Sequence, residues 1–147
     1  MTAARLITAL TALSLASGCV VYDNDGPRDQ PPAPTYVNYS PGIAWAEAGC
    51  YWDDYNQDFI WWFQTEVFDD NGRQDLTGVY ADVYDVYGNY IDGFELYQED
   101  RDPDVWFSDW LQYSTYLDCY YGGYQVDIIA YDSYEDYGAV TVIPATY

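Results

Sequence analysis

Apolar and polar side chains alternate along most of this chain from residue 59 onward, and a period of two is the pattern of β-strands with one buried face. In residues 59–68 the odd positions are the ones expected to be buried: Phe59, Trp61, Phe63, Thr65 and Val67. The even positions Gln64 and Glu66 are expected to face solvent. No stretch after the first nineteen residues keeps a helical period, so the sequence predicts an all-β fold.

Turn residues divide the alternating part of the chain into short strands. Further strands are predicted at residues 79–84, 91–97, 105–111, 124–131 and 139–143. Gly88 and Asn89 tolerate positive φ, so the segments on either side of them are expected to form a hairpin. About seven short strands of this kind predict a single antiparallel sandwich of two sheets, with a barrel as the second choice.

Residues 1–19 have the composition of an export signal. Arg5 supplies a positive charge, residues 6–15 are apolar or uncharged, and residues 16–18 are small, which leaves room for a peptidase before Cys19. The apolar stretch is too short for a membrane-spanning helix. An exported protein is therefore predicted.

This segment resembles the signal of bacterial lipoproteins, although Ala16 stands where that family most often has leucine. The resemblance implies a signal peptide of residues 1–18 and a diacylglyceryl-modified Cys19 that anchors the chain through its buried lipid tails. Val20 stands where the family's inner-membrane retention signal has aspartate, which implies sorting to the outer membrane of a two-membrane cell. An ordinary secretory signal is the alternative.

The 147 residues leave room for one domain of about 100 residues after a signal and a linker. Residues 19–42 are rich in proline and aspartate and contain few large apolar side chains, which predicts a disordered tether. Apolar character rises abruptly near Ile43 and Trp45. The folded domain is therefore expected to span residues 43–147.

With Cys19 assigned to lipid, Cys50 and Cys119 form an even pair in a compartment that permits oxidation. One disulfide is predicted, and closing a loop of this length stabilises by about 4 kcal/mol in the chain-entropy model. Two free thiols or a metal pair are the alternatives. The metal pair is the poorer one, because the chain has no histidine to complete a typical zinc site.

Two parts of the chain resemble immunoglobulin-like and cadherin-like modules of bacterial surface proteins. Residues 123–132 and 138–142 are similar to their F and G strands, and residues 67–72, with Asp75 and Leu76, are similar to their B-to-C loop. The resemblance implies an immunoglobulin-like arrangement of the two sheets. It also implies that the disulfide joins the N-terminal strand to the E-to-F region, because Cys50 precedes the presumed B strand.

The charge balance excludes one class of partner. Four basic residues against 25 acidic ones give a net charge of -21, and this field repels nucleic-acid phosphates and anionic lipid head groups. The protein is therefore expected to attach to the membrane through a lipid anchor, not through basic patches. The acidic surface itself has two explanations, which are simple solvation and divalent-cation binding.

The most plausible calcium ligands are oxygen-bearing side chains in one turn: Asp69, Asp70, Asn71 and Asp75. The last hairpin loop offers three more: Asp132, Glu135 and Asp136. Neither loop has the ligand spacing of an EF-hand. The preference of Asp and Asn for turns is the alternative explanation of both.

Aromatic residues are unusually frequent, with 19 Tyr and 6 Trp. Four are candidates for the core: Trp61, Phe63, Trp106 and Tyr124. Four tyrosines fall on strand faces that also carry carboxylates: Tyr80, Tyr84, Tyr97 and Tyr131. Such rings suit stacking on sugars or contact with a protein surface. Solvated cross-strand pairs that stabilise the sheet are the alternative.

Catalysis is not expected. Without histidine or lysine the chain cannot build a Ser-His triad, a histidine general base or a Schiff-base lysine, and nothing singles out one pair among the 25 acidic residues. The sequence thus predicts a lipid-anchored protein of the cell envelope with a non-catalytic structural, protein-binding or adhesion role. A calcium- or glycan-binding domain is the alternative, and an envelope protein or polysaccharide is the expected partner.

Overall fold

The chain forms seven β-strands in the computed structural model, which describes residues 35–146. The strands are β1 (Gly42–Asp53), β2 (Asp58–Phe68), β3 (Leu76–Tyr84), β4 (Tyr90–Gln98), β5 (Val105–Leu111), β6 (Gln125–Asp132) and β7 (Tyr137–Val142). The helical turns are two short 3₁₀ helices, Arg73–Asp75 and Gln112–Ser114. Among the described residues no helix has the length and apolar character needed to cross a membrane.

The strands follow the order β1-β2-β5-β4-β3-β6-β7, and all neighbouring strands are antiparallel. The joint between β4 and β5 is short, with Tyr97 opposite Phe107 and Gln98 opposite Trp106. Beyond β7 the chain returns to β1, where the Cys50 N–H donates to the Ala145 carbonyl at 2.9 Å. The all-β antiparallel prediction is confirmed. The strands form one nearly closed sheet, the barrel-like arrangement that the sequence left as the second choice.

The core is built from the inward positions of the alternating strands. Thr65 is fully buried among them, and its hydroxyl donates to the Trp45 carbonyl at 2.7 Å. The other fully buried residues include Trp61, Phe63, Val67, Val79, Ala81, Val83, Val126, Ile128 and Ala130. The sequence-based core candidates, which also include Trp106 and Tyr124, are confirmed.

The disulfide between Cys50 and Cys119 is present. Cys50 lies on β1, Cys119 lies in the connection from β5 to β6, and their Cα atoms are 6.0 Å apart. The pairing therefore ties the first strand to a connection 69 residues away. This is the placement that the sequence predicted.

Three loops and the start of β1 gather at one end of the fold, called here the N-terminal end. The loops are β2–β3 (residues 69–75), β4–β5 (residues 99–104) and β6–β7 (residues 133–136). Residues 36–39 contact this end: the Tyr39 N–H donates to Asn71 Oδ1 at 2.7 Å, and Asn71 Nδ2 donates to the Val37 carbonyl at 2.8 Å. Contacts of the folded part thus begin upstream of residue 43. The predicted signal, Cys19 and tether residues 19–34 lie outside the described residues.

Candidate functional site

Three aspartates converge at the N-terminal end. Asp69 follows β2, Asp75 precedes β3 and Asp132 ends β6, so antiparallel pairing brings them to the same edge. One carboxylate oxygen from each lies within 4.8 Å of the other two. Asp132 is only 2% exposed and Asp75 only 9%. This group is called here the aspartate cluster.

The β2–β3 turn explains the position of Asp69. Its Oδ1 accepts the Asn71 N–H at 2.6 Å, which is the Asx-turn chemistry expected of this residue type. Gly72 then adopts φ 108°, a conformation that residues with a Cβ rarely reach, and the chain reverses toward Asp75. On Asp75, Oδ1 accepts the Ser133 hydroxyl and Oδ2 accepts the Tyr36 hydroxyl at 3.3 Å.

Asp132 is held in its ionised form by donors. Its Oδ1 accepts the N–H groups of Tyr134 and Asp136 at 2.8 and 2.9 Å, and its Oδ2 accepts Asn38 Nδ2 at 2.7 Å. Burial raises the pKa of this carboxyl, but the hydrogen bonds from Asn38 and the two backbone groups outweigh burial. The net result is a pKa below the ordinary value, so Asp132 is negatively charged at neutral pH.

Two buried oxygen atoms beside this cluster have no hydrogen-bond partner: Asn38 Oδ1 and Asp69 Oδ2. A buried acceptor without a donor is costly, by about 1–3 kcal/mol. No ion pair within residues 35–146 compensates the aspartate cluster, because Arg73 pairs with Asp104 instead, at 2.7 Å. The arrangement thus combines uncompensated negative charge with free oxygen lone pairs, which suits a hard cation.

The predicted calcium residues divide into three groups. Asp69, Asp75 and Asp132 converge, and Asp136 is linked to them through Asn38, whose Nδ2 also donates to Asp136 Oδ2 at 2.9 Å. Asp70 and Glu135 are exposed and lie outside the cluster. The Asn71 side chain instead forms hydrogen bonds with the Tyr39 N–H and the Val37 carbonyl. Asn38 was missed by the sequence analysis, because a proline-rich segment gives no periodic signal.

A second constellation covers the outward side of β3, β4, β6 and β7, called here the tyrosine face. The strand register determines which residues share this side: Tyr80 lies opposite Ile129 and Glu95, and Asp82 lies opposite Asp127. The members of the face are Tyr80, Tyr84, Tyr90, Tyr97, Tyr131, Tyr137, Asp82, Glu95 and Asp127. All four tyrosines that the sequence singled out are among them.

The rings of the tyrosine face are packed against each other and against the backbone. The centroids of Tyr80 and Tyr131 are 6.0 Å apart, and those of Tyr131 and Tyr137 are 5.8 Å apart. A Cβ at Gly78 would lie 2.8 Å from the Tyr80 hydroxyl oxygen, so this glycine makes room for the Tyr80 ring. The face therefore presents ordered rings, which lose little conformational freedom on binding.

The carboxylates of this face perturb one another and the rings. Burial, and secondly the negative charge of Asp127, raises the pKa of Asp82. Burial followed by the Asp82 charge raises the pKa of Tyr84 and of Tyr90. On Tyr97 the largest cause of the raised pKa is the charge of Glu95, whose Oε2 accepts the Tyr97 hydroxyl at 3.3 Å. The phenols of Tyr84, Tyr90 and Tyr97 therefore stay protonated at neutral pH.

The tyrosine face continues at Tyr97 into a cleft of about 320 Å³ between β4 and β5. Its lining includes Phe107, Asp109 and Trp110, so rings and carboxylates alternate there as well.

Comparisons of the chain with models of protein families, with curated proteins and with solved structures find no match. The function is therefore argued from the residues themselves.

Proposed function

We propose that this chain is an exported, lipid-anchored, non-catalytic binding module of the cell envelope that contacts its partner through the tyrosine face. The observation that carries the proposal is the gathering of six tyrosines and three carboxylates on the outward side of one set of strands. Aromatic rings with polar tips are the side chains most enriched at protein-binding surfaces. An envelope protein or a polysaccharide is the partner class.

The anchor in this proposal is a lipid on Cys19, with residues 1–18 removed as a signal and the outer membrane as the destination. It is supported by the charge, length and small-residue chemistry of residues 1–19. Two or more acyl chains are enough to hold a small domain on a bilayer, since each buried CH₂ contributes about 0.8 kcal/mol. Nucleic acid is excluded as a partner because the net charge is -21.

We also propose that the nearly closed sheet is an immunoglobulin-like sandwich whose two sheets meet at β4. The strand order supports this: β1, β2 and β5 are neighbours, as strands A, B and E are in that fold, and β3, β6 and β7 are neighbours, as are C, F and G. The joint at β4 and β5 has only two residue pairs. An edge-to-edge contact of this length is compatible with two packed sheets.

Crosslinking in cells tests the binding role. A photo-reactive phenylalanine analogue is placed at Tyr80 or, as a control, at Tyr55, which is 92% exposed in the turn between β1 and β2, two strands that do not form the tyrosine face. Position 80 should give a discrete crosslinked product in the membrane fraction, and position 55 should not. Adding Cys19→Ala should move the protein to the soluble fraction. Equal products from both positions, or none at position 80, would contradict the proposal.

A second candidate function, calcium binding at the aspartate cluster, is favoured by the two unpartnered oxygens beside it. Calcium binds oxygen ligands at 2.3–2.6 Å, so two ligands on opposite sides of the ion are about 4.8 Å apart. That is the separation within which the three aspartate oxygens lie. Asn38 Oδ1 would supply a further ligand beside the aspartates, and bound calcium would remove the desolvation cost of this oxygen and of Asp69 Oδ2.

A matched pair of variants tests the calcium site. Millimolar calcium should raise the melting temperature against a background of 0.5 M sodium chloride, where added calcium changes screening little. Asp69→Asn should abolish the increase, and Asp70→Asn should keep it, because Asp70 is exposed and outside the cluster. A wild-type melting temperature that does not respond, or an equal loss in both variants, would rule out this site.

A further inference from the structure

The centre of the tyrosine face is a pair of carboxylates on adjacent strands. Asp82 of β3 lies directly opposite Asp127 of β6, and Gly93 of β4 lies opposite Asp82 on the other side. A Cβ at Gly93 would be 3.0 Å from Asp82 Oδ1, so the missing side chain makes room for this carboxylate. The Tyr90 hydroxyl lies over the same glycine. The pair is therefore set into the face and flanked by rings.

No basic residue among residues 35–146 lies on this face to neutralise that charge. Its outward positions include Asp82, Glu95 and Asp127 but no basic residue. The described part of the chain has two arginines, Arg73 and Arg101, and both lie in loops at the N-terminal end. Thr141 donates a hydrogen bond to Asp127 Oδ1, which leaves the charge in place. The face thus combines uncompensated carboxylates with electron-rich ring faces.

We infer that the tyrosine face takes a basic protein segment, with an arginine or lysine side chain held by Asp82 and Asp127 among the surrounding tyrosine rings. The inference rests on the proposed binding role of this face. Guanidinium and ammonium groups are attracted both to aromatic ring faces and to carboxylates, and a partly desolvated site strengthens each attraction. The net charge of -21 steers a cationic partner toward the molecule and repels an anionic one.

A charge-matched pair of variants separates a local site from the general field. The full-length chain is titrated with a hexa-arginine peptide by calorimetry in 0.15 M sodium chloride. Asp82→Asn with Asp127→Asn removes two charges from the face. Glu47→Gln with Asp100→Asn removes two charges from exposed positions outside it. We expect the first variant to weaken binding at least tenfold and the second to weaken it less than threefold. Equal weakening would overturn the inference, because attraction would then be delocalised.

A second experiment removes one ring of the tyrosine face. Tyr80→Leu should weaken hexa-arginine binding severalfold, whereas Tyr55→Leu, in the turn between β1 and β2, should leave it unchanged. Absence of hexa-arginine binding to the wild type would overturn the inference, and so would binding of neutral chitohexaose that is lost in Tyr80→Leu, which would identify a glycan as the occupant. If crosslinking at position 80 persists while hexa-arginine fails to bind, the proposed function stands and only the basic partner is wrong. If crosslinking at position 80 also fails, the proposed function is contradicted as well.

Discussion

At the scale of the residue, Asp82 is a carboxyl whose ionisation the fold opposes. Burial and the neighbouring Asp127 raise its pKa above the unfolded value. A carboxyl with a raised folded-state pKa contributes stability that is fully present below its unfolded pKa, near 3.9, and is lost as the pH rises through the folded pKa. At neutral pH the ionised Asp82 therefore lowers the free energy of unfolding.

Asp82→Asn should remove that cost. The free energy of unfolding at pH 7 should rise, by up to about 1 kcal/mol, because solvent screens part of the repulsion at this partly exposed site. Near pH 3.5 wild type and variant should be equally stable, because both side chains are then neutral. Urea unfolding at the two pH values measures the difference, and Asp100→Asn in an exposed loop is the control. A variant that is less stable at pH 7 would contradict this account.

The positions of individual side chains were predictable where alternation determines them. Tyr80 and Tyr84 alternate with buried Val79, Ala81 and Val83, so their outward direction follows from strand geometry. The convergence of the aspartates was predictable only in part. Which turn carboxylates meet depends on the backbone at Gly72 and on Asn38, and neither contributes to a periodic pattern.

At the scale of the element, β1 depends on the disulfide more than the other strands do. It is an edge strand that pairs fully with β2, while its contact with the C-terminal tail runs through Ala145. Cys50 adds a covalent link from β1 to the buried Cys119. The link closes a long segment of the chain and so restricts the unfolded state most strongly.

Reduction should therefore lower the melting temperature by well over ten degrees. The loss of about 4 kcal/mol is several times the 1 kcal/mol that shifts a 60–100-residue domain by about 4–8 °C. Thermal unfolding with and without a phosphine reductant measures the shift. Thiol labelling of the unreduced protein provides the control and should find neither Cys50 nor Cys119 reactive. Quantitative labelling of either one would contradict the pairing.

Six of the seven strands and their inward faces were predictable from the sequence, because one buried face imposes a period of two. The strand β1 was not placed by this pattern, because its buried residues do not alternate with exposed ones. The way the sheet closes was not. The joint between β4 and β5 and the return of the chain at Ala145 depend on accumulated strand twist and loop geometry. Strand twist and loop geometry do not change the local alternation of apolar and polar residues. A sandwich and a barrel therefore both fitted the same pattern.

At the scale of the whole molecule, the two candidate sites occupy separate regions. The aspartate cluster lies at the N-terminal end, where residues 36 and 38 from the segment before β1 contact it. The tyrosine face lies along the outward side of four strands. In the proposed membrane-anchored protein, the aspartate cluster can therefore stabilise the fold while the tyrosine face remains available to a partner.

Footprinting in native membranes tests the central claim, which is that the tyrosine face is covered by a partner in the envelope. Hydroxyl-radical labelling is compared between the protein in isolated envelopes and the purified protein. Tyr97 and Tyr137, which are 57% and 61% exposed, should be labelled in the purified protein and protected in envelopes. Tyr55 and Tyr116, which are 92% and 82% exposed outside the face, should be labelled equally in both. Equal labelling of all four tyrosines in the two samples would contradict the claim.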